Sequence, residues 1–153
     1  MNLNRILLLP CIAIGCIAAY GQDENAIPPA DQWYKTEYAP LFADKPWDKA
    51  ADIASHYAET IQLHGEAIET VDALPWVTDA LEEWKIQGWI RSEIADIEID
   101  ELNSTTVSFK TKWRDYFNGG NIAYECAWYL TDFINDSWKI TACAEITCNE
   151  HGL

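Results

Sequence analysis

The stretch Ser104-Thr-Thr-Val-Ser-Phe-Lys-Thr-Lys-Trp-Arg-Asp-Tyr-Phe117, the triplet Asn118-Gly119-Gly120, and then Asn121-Ile-Ala-Tyr-Glu-Cys-Ala-Trp-Tyr-Leu-Thr-Asp-Phe133 decide the fold of this chain. Val107, Phe109, Thr111 and Trp113 alternate with Ser108, Lys110, Lys112 and Arg114, the period of a strand with one buried face. The glycine pair supplies the backbone freedom of a hairpin turn, and Ile122 to Phe133 reads as the returning strand. Asn135-Asp136-Ser137 turns the chain again, and Trp138 to Ile146 comes back. Upstream, Ile97 and Ile99 alternate with Asp96, Glu98 and Asp100, so another strand precedes the first. The end of the chain is a meander of long antiparallel strands.

Farther out, the front of the chain is helical. Pro28-Pro29 opens a helix in which Trp33, Tyr34, Glu37, Tyr38 and Leu41 recur at helical spacing. Pro40 must kink or end it, because proline lacks an amide proton and clashes with the preceding turn. A second short helix spans about Trp47 to His56, with Asp48 near its positive end. Thr60 to Ile68 reads as a short strand or hairpin around Gly65. Asp72 and Pro75 then start a third helix, which carries Trp76, Ala80 and Trp84 on one stripe and stops at Gly88. Three helices with a short strand among them, followed by a meander, give an α+β domain with its helices on one face of a curved sheet.

The totals restrict compartment and partner. The 153 residues carry 25 acidic against 10 basic side chains, a formal charge of −15. Such a surface repels phosphate backbones and anionic lipid heads, so nucleic acid is not an expected partner. Arg5 is the only charge before the apolar run Ile6 to Ala19, and Ala19-Tyr20-Gly21 offers a small-residue exit. These are the parts of a secretory signal peptide covering residues 1–21. The run is shorter than the ~20 residues that span a bilayer, and Pro10 interrupts it, which argues against the alternative of a membrane anchor. Lipidation at Cys16 is a further alternative. The expected organisation is a signal peptide, a flexible lead-in over 22–30 and one domain over 31–148, periplasmic or secreted, without stable membrane insertion after cleavage. Cys126, Cys143 and Cys148 remain after cleavage; in an oxidising compartment three thiols allow one disulfide and one leftover. There is no CxxC, no zinc spacing, no glycine-rich phosphate loop and no nucleophile elbow, so neither metal nor cofactor is expected.

The ordered set Thr106-Val-Ser-Phe-Lys-Thr-Lys-Trp113, Gly119-Gly120, Ala127-Trp-Tyr-Leu130 and Asp136-Ser-Trp-Lys-Ile140 resembles the closing sheet of the nuclear transport factor 2-like superfamily, which includes the SnoaL-like polyketide cyclases. The turn followed by Trp-Lys-Ile is its most recognisable piece, and the resemblance covers about Asp31 to Ile146. It implies a cone-shaped roll: three N-terminal helices packed on a strongly curved antiparallel sheet, with a deep pocket at the open end. Members include isomerases, dehydratases, cyclases and binding domains, so the fold does not fix the function.

The hairpins permit a register argument. With a three-residue loop, Phe117 faces Asn121, Trp113 faces Glu125, Thr111 faces Ala127 and Phe109 faces Tyr129. With a turn over Ile134 to Ser137, Phe133 faces Trp138, Tyr129 faces Ala142, Ala127 faces Ala144 and Glu125 faces Ile146. The inner face then has an alanine floor of Ala127, Ala142 and Ala144, which either admits a closely packed helix or leaves room for a ligand. The other face collects Lys110, Lys112 and Arg114 with Tyr124, Cys126, Trp128, Leu130 and Cys143. Its apolar stripe reads as a covered surface, and the resemblance implies a homodimer through it. Cys126 and Cys143 lie a diagonal step apart, long for a disulfide unless a bulge or slip intervenes, and Cys148 is the alternative partner.

Two groups are candidate acid–base residues. Glu125 falls on the inner face beside Trp113, where an apolar setting would raise its pKa; otherwise it is a solvated strand end. His64 is a candidate base near neutral pH; otherwise it is a surface or structural histidine. Tyr38, Tyr57, Trp113 and Tyr129 are candidate ligand contacts, or else core aromatics. These residues support an exported domain that binds a small apolar molecule, a cofactor-free isomerase, dehydratase or cyclase using Glu125 or His64, or a dimeric interaction domain. The sequence leaves the three open.

Overall fold

A computed structural model of the chain describes residues 26–148. The expected signal peptide with Cys16 and the part of the expected lead-in over 22–25 lie outside the described residues.

Helix α1 (Ala30–Trp33) starts directly after the two prolines, where a missing amide proton is no loss. It continues as a π-helical turn, Tyr34–Tyr38, and a 3-10 turn, Ala39–Phe42. Pro40 cannot donate back to the preceding turn, so the helix rewinds there instead of running straight. The rewinding aims Trp33, Tyr34, Tyr38 and Phe42 at the sheet, and all four are buried. Helix α2 (Ala50–Ala54) is a single turn, shorter than its apolar run predicts. Helix α3 (Ala73–Ile86) buries Ala73, Val77 and Leu81; Trp76 and Trp84 flank that stripe and are partly buried. Gly88 follows at φ +85, a conformation that a side chain would strain, and its carbonyl accepts the Asn118 amide at 2.7 Å.

Six strands form one sheet: β1 (Tyr57–His64), β2 (Ile68–Asp72), β3 (Trp89–Asn103), β4 (Thr106–Phe117), β5 (Ile122–Ile134) and β6 (Ser137–Ile146). Their order is β2-β1-β6-β5-β4-β3. The segment read as one strand or hairpin around Gly65 is the β1–β2 hairpin. Every neighbouring pair is antiparallel except β1 and β6, which run parallel and so correct the all-antiparallel sheet expected from sequence. Helix α3 carries the chain from edge strand β2 across to edge strand β3. The meander then returns, and its last strand meets β1 in the same direction. This arrangement is the curved, helix-covered α+β roll that the sequence implied.

The centre of the packing is aromatic. Tyr34 stacks on Phe109 with ring centroids 4.6 Å apart, and Thr111 Oγ1 donates to the Tyr34 hydroxyl at 3.0 Å. Trp138 Nε1 donates to the Pro28 carbonyl at 2.7 Å and so fixes the start of the helical layer to β6.

The β4–β5 register is the expected one, with Phe109 opposite Tyr129, Thr111 opposite Ala127 and Trp113 opposite Glu125. The β5–β6 register begins as expected, with Phe133 opposite Trp138, and then slips. Thr131 faces Ile140 and Leu130 faces Ala142, so Thr141 is the extra residue of a β-bulge. Everything after Thr141 changes face. Cys143 now lies opposite Tyr129 on the inner face, Glu145 lies opposite Ala127, and Ala142 and Ala144 move outward. The alanine floor is thereby corrected to Ala127 beside Cys143 and Glu145. The slip also brings Ile146 opposite Cys126, and two residues on Cys148 forms the disulfide with Cys126, leaving Cys143 a free buried thiol.

The bridge closes a loop across a sequence separation of 22. Replacing Cys148 with Ser should lower unfolding free energy by about 3 kcal/mol at most, since the bridge acts chiefly by restricting the unfolded chain. Denaturant melts of the oxidised protein and of Cys148→Ser measure this; equal midpoints would refute it.

Candidate functional site

The concave face, α3 and the rewound first helix border an open cavity of about 1000 Å³. Trp76 and Trp84 come from α3, Trp89 from the start of β3, and Trp113 and Tyr129 from the centre of the sheet. The mouth opens beyond the end of β6, bordered by the β1–β2 turn at His64 and Gly65 and by the Cys126–Cys148 bridge.

The four candidate ligand contacts, Tyr38, Tyr57, Trp113 and Tyr129, all line this space. Tyr38 and Tyr57 share a hydrogen bond between their hydroxyls at 2.5 Å, and Trp113 Nε1 donates to the Tyr129 hydroxyl at 3.3 Å. Burial foremost pushes the phenol pKa of Tyr38, Tyr57 and Tyr129 upward, so all three stay neutral donors. Cys143 lies beside them, its thiol pushed up to about 11 by burial, so it too stays protonated.

The two acid–base candidates part company. Glu125 is on the inner face at the mouth, with its side chain still reached by solvent. Its pKa is raised by partial burial first, then by the negative charges of Asp115 and Glu145. His64 alternates with the inward-facing Leu63, and its ring packs against Trp128 of the outer face at 5.4 Å. Its Nε2 lies 3.3 Å from Gln62 Oε1. It borders the mouth but shares no inner surface with Glu125.

The inward polar group that sequence reading missed is Asp115. It is the next inner position of β4 after Val107, Phe109, Thr111 and Trp113, and it is only 5% exposed. Ser92 Oγ donates a short hydrogen bond to Asp115 Oδ1, and Trp89 Nε1 donates to Ser92 Oγ at 2.9 Å. The other carboxylate oxygen, Oδ2, is buried with no hydrogen-bond partner among the described residues. Burial raises the Asp115 pKa, and the donors Ser92 and Trp89 only partly oppose it. A carboxyl so placed can accept or donate a hydrogen bond to a bound molecule, or exchange a proton with it. Continuing the alternation by two positions was the signal that would have found it. Ser92 had no such signal, because the β3 register slips between Trp89 and Arg91. Among the described residues no cluster of His, Cys, Asp and Glu could hold a metal ion. No helix among them is long and apolar enough to cross a membrane.

Hollow cone, helical lid and curved sheet together define the nuclear transport factor 2-like fold, and solved structures agree. A protein of unknown function from Mycobacterium tuberculosis superposes with a TM-score of 0.59 at 9% identity, covering 79% of this chain and 76% of its own. A nuclear transport factor 2-like protein from Anabaena variabilis gives 0.51 at 16% identity, with 73% and 81% covered. A putative scytalone dehydratase from Novosphingobium aromaticivorans gives 0.52 at 13% identity, with 72% and 77% covered. At these identities the likeness is one of fold. No protein-family model and no curated protein sequence matches the chain.

The raised Asp115 pKa has a consequence for stability. The unfolded chain gives up this proton first, so folding is penalised as pH rises from the ordinary carboxyl value of 3.8 through the raised folded value, and not below it. Asp115→Asn cannot titrate. Its thermal midpoint relative to the parent should therefore climb from about pH 3.5 to about pH 7. A difference that stays flat over that range would contradict the assignment.

Proposed function

We propose that this protein is an exported binding domain whose cone holds a small, largely apolar organic molecule, with Asp115 as its internal polar contact. One observation carries the reading: an aromatic-walled cavity of about 1000 Å³ whose lining includes Asp115, a carboxyl with one buried, unpartnered oxygen. Ligand sites have this make-up, with apolar walls giving affinity and a few polar atoms fixing orientation. A cavity of this size lies at the upper end of the range for small-molecule sites, about 300–1000 Å³. The Cys126–Cys148 bridge supports export, because disulfides persist in oxidising compartments.

A second reading is proton transfer on the bound molecule, as in a cofactor-free isomerase, dehydratase or cyclase. It is favoured by Asp115 and Glu125 sharing the inner face with both pKa values raised, which brings two carboxyls toward the range of useful acids and bases. The expected homodimer remains a proposal for the outer face, where Ile122 and Tyr124 are 54% and 50% exposed.

Binding is tested by filling the space. Ala127 is small, faces the cavity and sits beside Tyr129 on the same strand face. Ala127→Trp should keep the far-UV circular dichroism of the parent and weaken uptake of a hydrophobic ligand, followed by tryptophan fluorescence, at least tenfold (about 1.4 kcal/mol). Unchanged affinity in a folded variant would remove the cone from the function.

A further inference from the structure

We infer that the molecule held in the cone is an organic cation, such as a quaternary or protonated amine carried on an apolar body. This deepens, and rests on, the binding reading above. Three observations converge on it. First, the ionisable acids that reach the cavity are Asp115, Glu125 and Glu145, and among the described residues its lining contains no Lys or Arg. The strands that supply the lining do carry cations. Lys110, Lys112 and Arg114 alternate with inward Thr111 and Trp113 and so emerge on the opposite face, where Lys110 pairs with Glu98 and Arg114 with Glu93. The alternation that places the acids inside therefore places the bases outside.

Second, Asp115 Oδ2 is buried in the wall with no partner, although Oδ1 is held by Ser92. A carboxylate deprived of water at one oxygen is stabilised most by a positive charge brought to it. Third, the remaining wall is a set of indole and phenol faces, with Trp76, Trp84, Trp89, Trp113, Tyr57 and Tyr129 contributing from helix and sheet. The electron-rich faces of such rings attract a cation that has lost its water, and indole does so best. Neutral apolar molecules use the same walls without the charge term. An anion meets three like charges and no counter-charge. The formal charge of −15 on the whole chain adds a long-range field that draws cations toward the mouth.

The test uses a matched pair of probes and their anionic counterpart: (3-hydroxyphenyl)trimethylammonium, its uncharged isostere 3-tert-butylphenol, and 3-hydroxybenzenesulfonate. Calorimetric titration into the oxidised, folded protein should show the cation bound at least about tenfold more tightly than the isostere, and the sulfonate not bound. Asp115→Asn should weaken the cation about tenfold and leave tert-butylphenol within about twofold. Glu125→Gln, at the solvated mouth, should produce a smaller loss of the same sign, which keeps the test available if the Asp115 variant folds poorly. Equal or tighter binding of the isostere overturns the charge assignment and leaves the binding reading intact. Failure of all three probes to bind at millimolar concentration counts against the binding reading itself.

Discussion

Thr141 stands opposite no residue of β5, and the site is built around that one extra residue in the register. Its hydroxyl donates to Asp132 Oδ2 at 2.8 Å, while Thr106 of β4 donates to Asp132 Oδ1 at 2.7 Å. One carboxylate thus ties the bulge to two strands and gives the extra residue a fixed place. Because side chains alternate with period two, a single inserted residue inverts the facing of all that follow. Without the bulge, β6 would turn Ala142 and Ala144 inward, and Cys143 and Glu145 would lie outside. With it, Cys143 meets Tyr129, Glu145 joins the mouth, and Ile146 stands opposite Cys126, two residues before its disulfide partner Cys148. A bulge also increases local twist, which suits a sheet that must wrap its helices.

The helical layer answers that curvature without filling it. A straight first helix would lay one narrow stripe on the sheet. The π-helical turn and the 3-10 turn on either side of Tyr38 splay Trp33, Tyr34, Tyr38 and Phe42 over a wider area. Tyr34 and Phe109 close the narrow end with a stacked pair. The wide end is left to Trp76 and Trp84, which line the walls from α3. Interiors seldom keep space unfilled, and a half-satisfied carboxyl beside such space is a further penalty. Both features lower stability, and neither serves packing. Sites that bind or react are where proteins accept that loss.

Much of this was legible in the sequence, and the limits were physical. The β4–β5 register followed from Gly119 and Gly120, both at positive φ, because a three-residue loop leaves one pairing. Alternation put Trp113 and Tyr129 on one inner face, whereas the cavity itself was implied by the resemblance, and the structure adds Tyr38 and Tyr57 to its lining. The bulge was invisible, since Thr141 is an ordinary strand residue and its role depends on Asp132, nine positions away. That hidden slip misplaced Cys143 and the two alanines. The facing of His64 was not legible for a different reason: β1 pairs with β6, a partner near the other end of the chain, and no local pattern reveals which of its faces turns inward. Asp115 was legible and overlooked, because an acid at the end of an apolar stripe reads as the end of the stripe.

That oversight bears on how the site is interpreted. Asp115 continues the period of Val107, Phe109, Thr111 and Trp113, so the sheet itself turns it inward. The surrounding structure then supplies only two donors on one side, in series from Trp89 through Ser92. A purely structural acid would have both oxygens satisfied, as Asp132 does between Thr106 and Thr141. The two aspartates therefore form an internal contrast on neighbouring strands of one sheet. Asp132 uses both oxygens to hold strands together; Asp115 uses one to stay in place and leaves the other buried and unpaired. Asp115 is the more deeply buried of the two, yet it has been given fewer protein donors, and that shortfall points to the missing partner being a ligand.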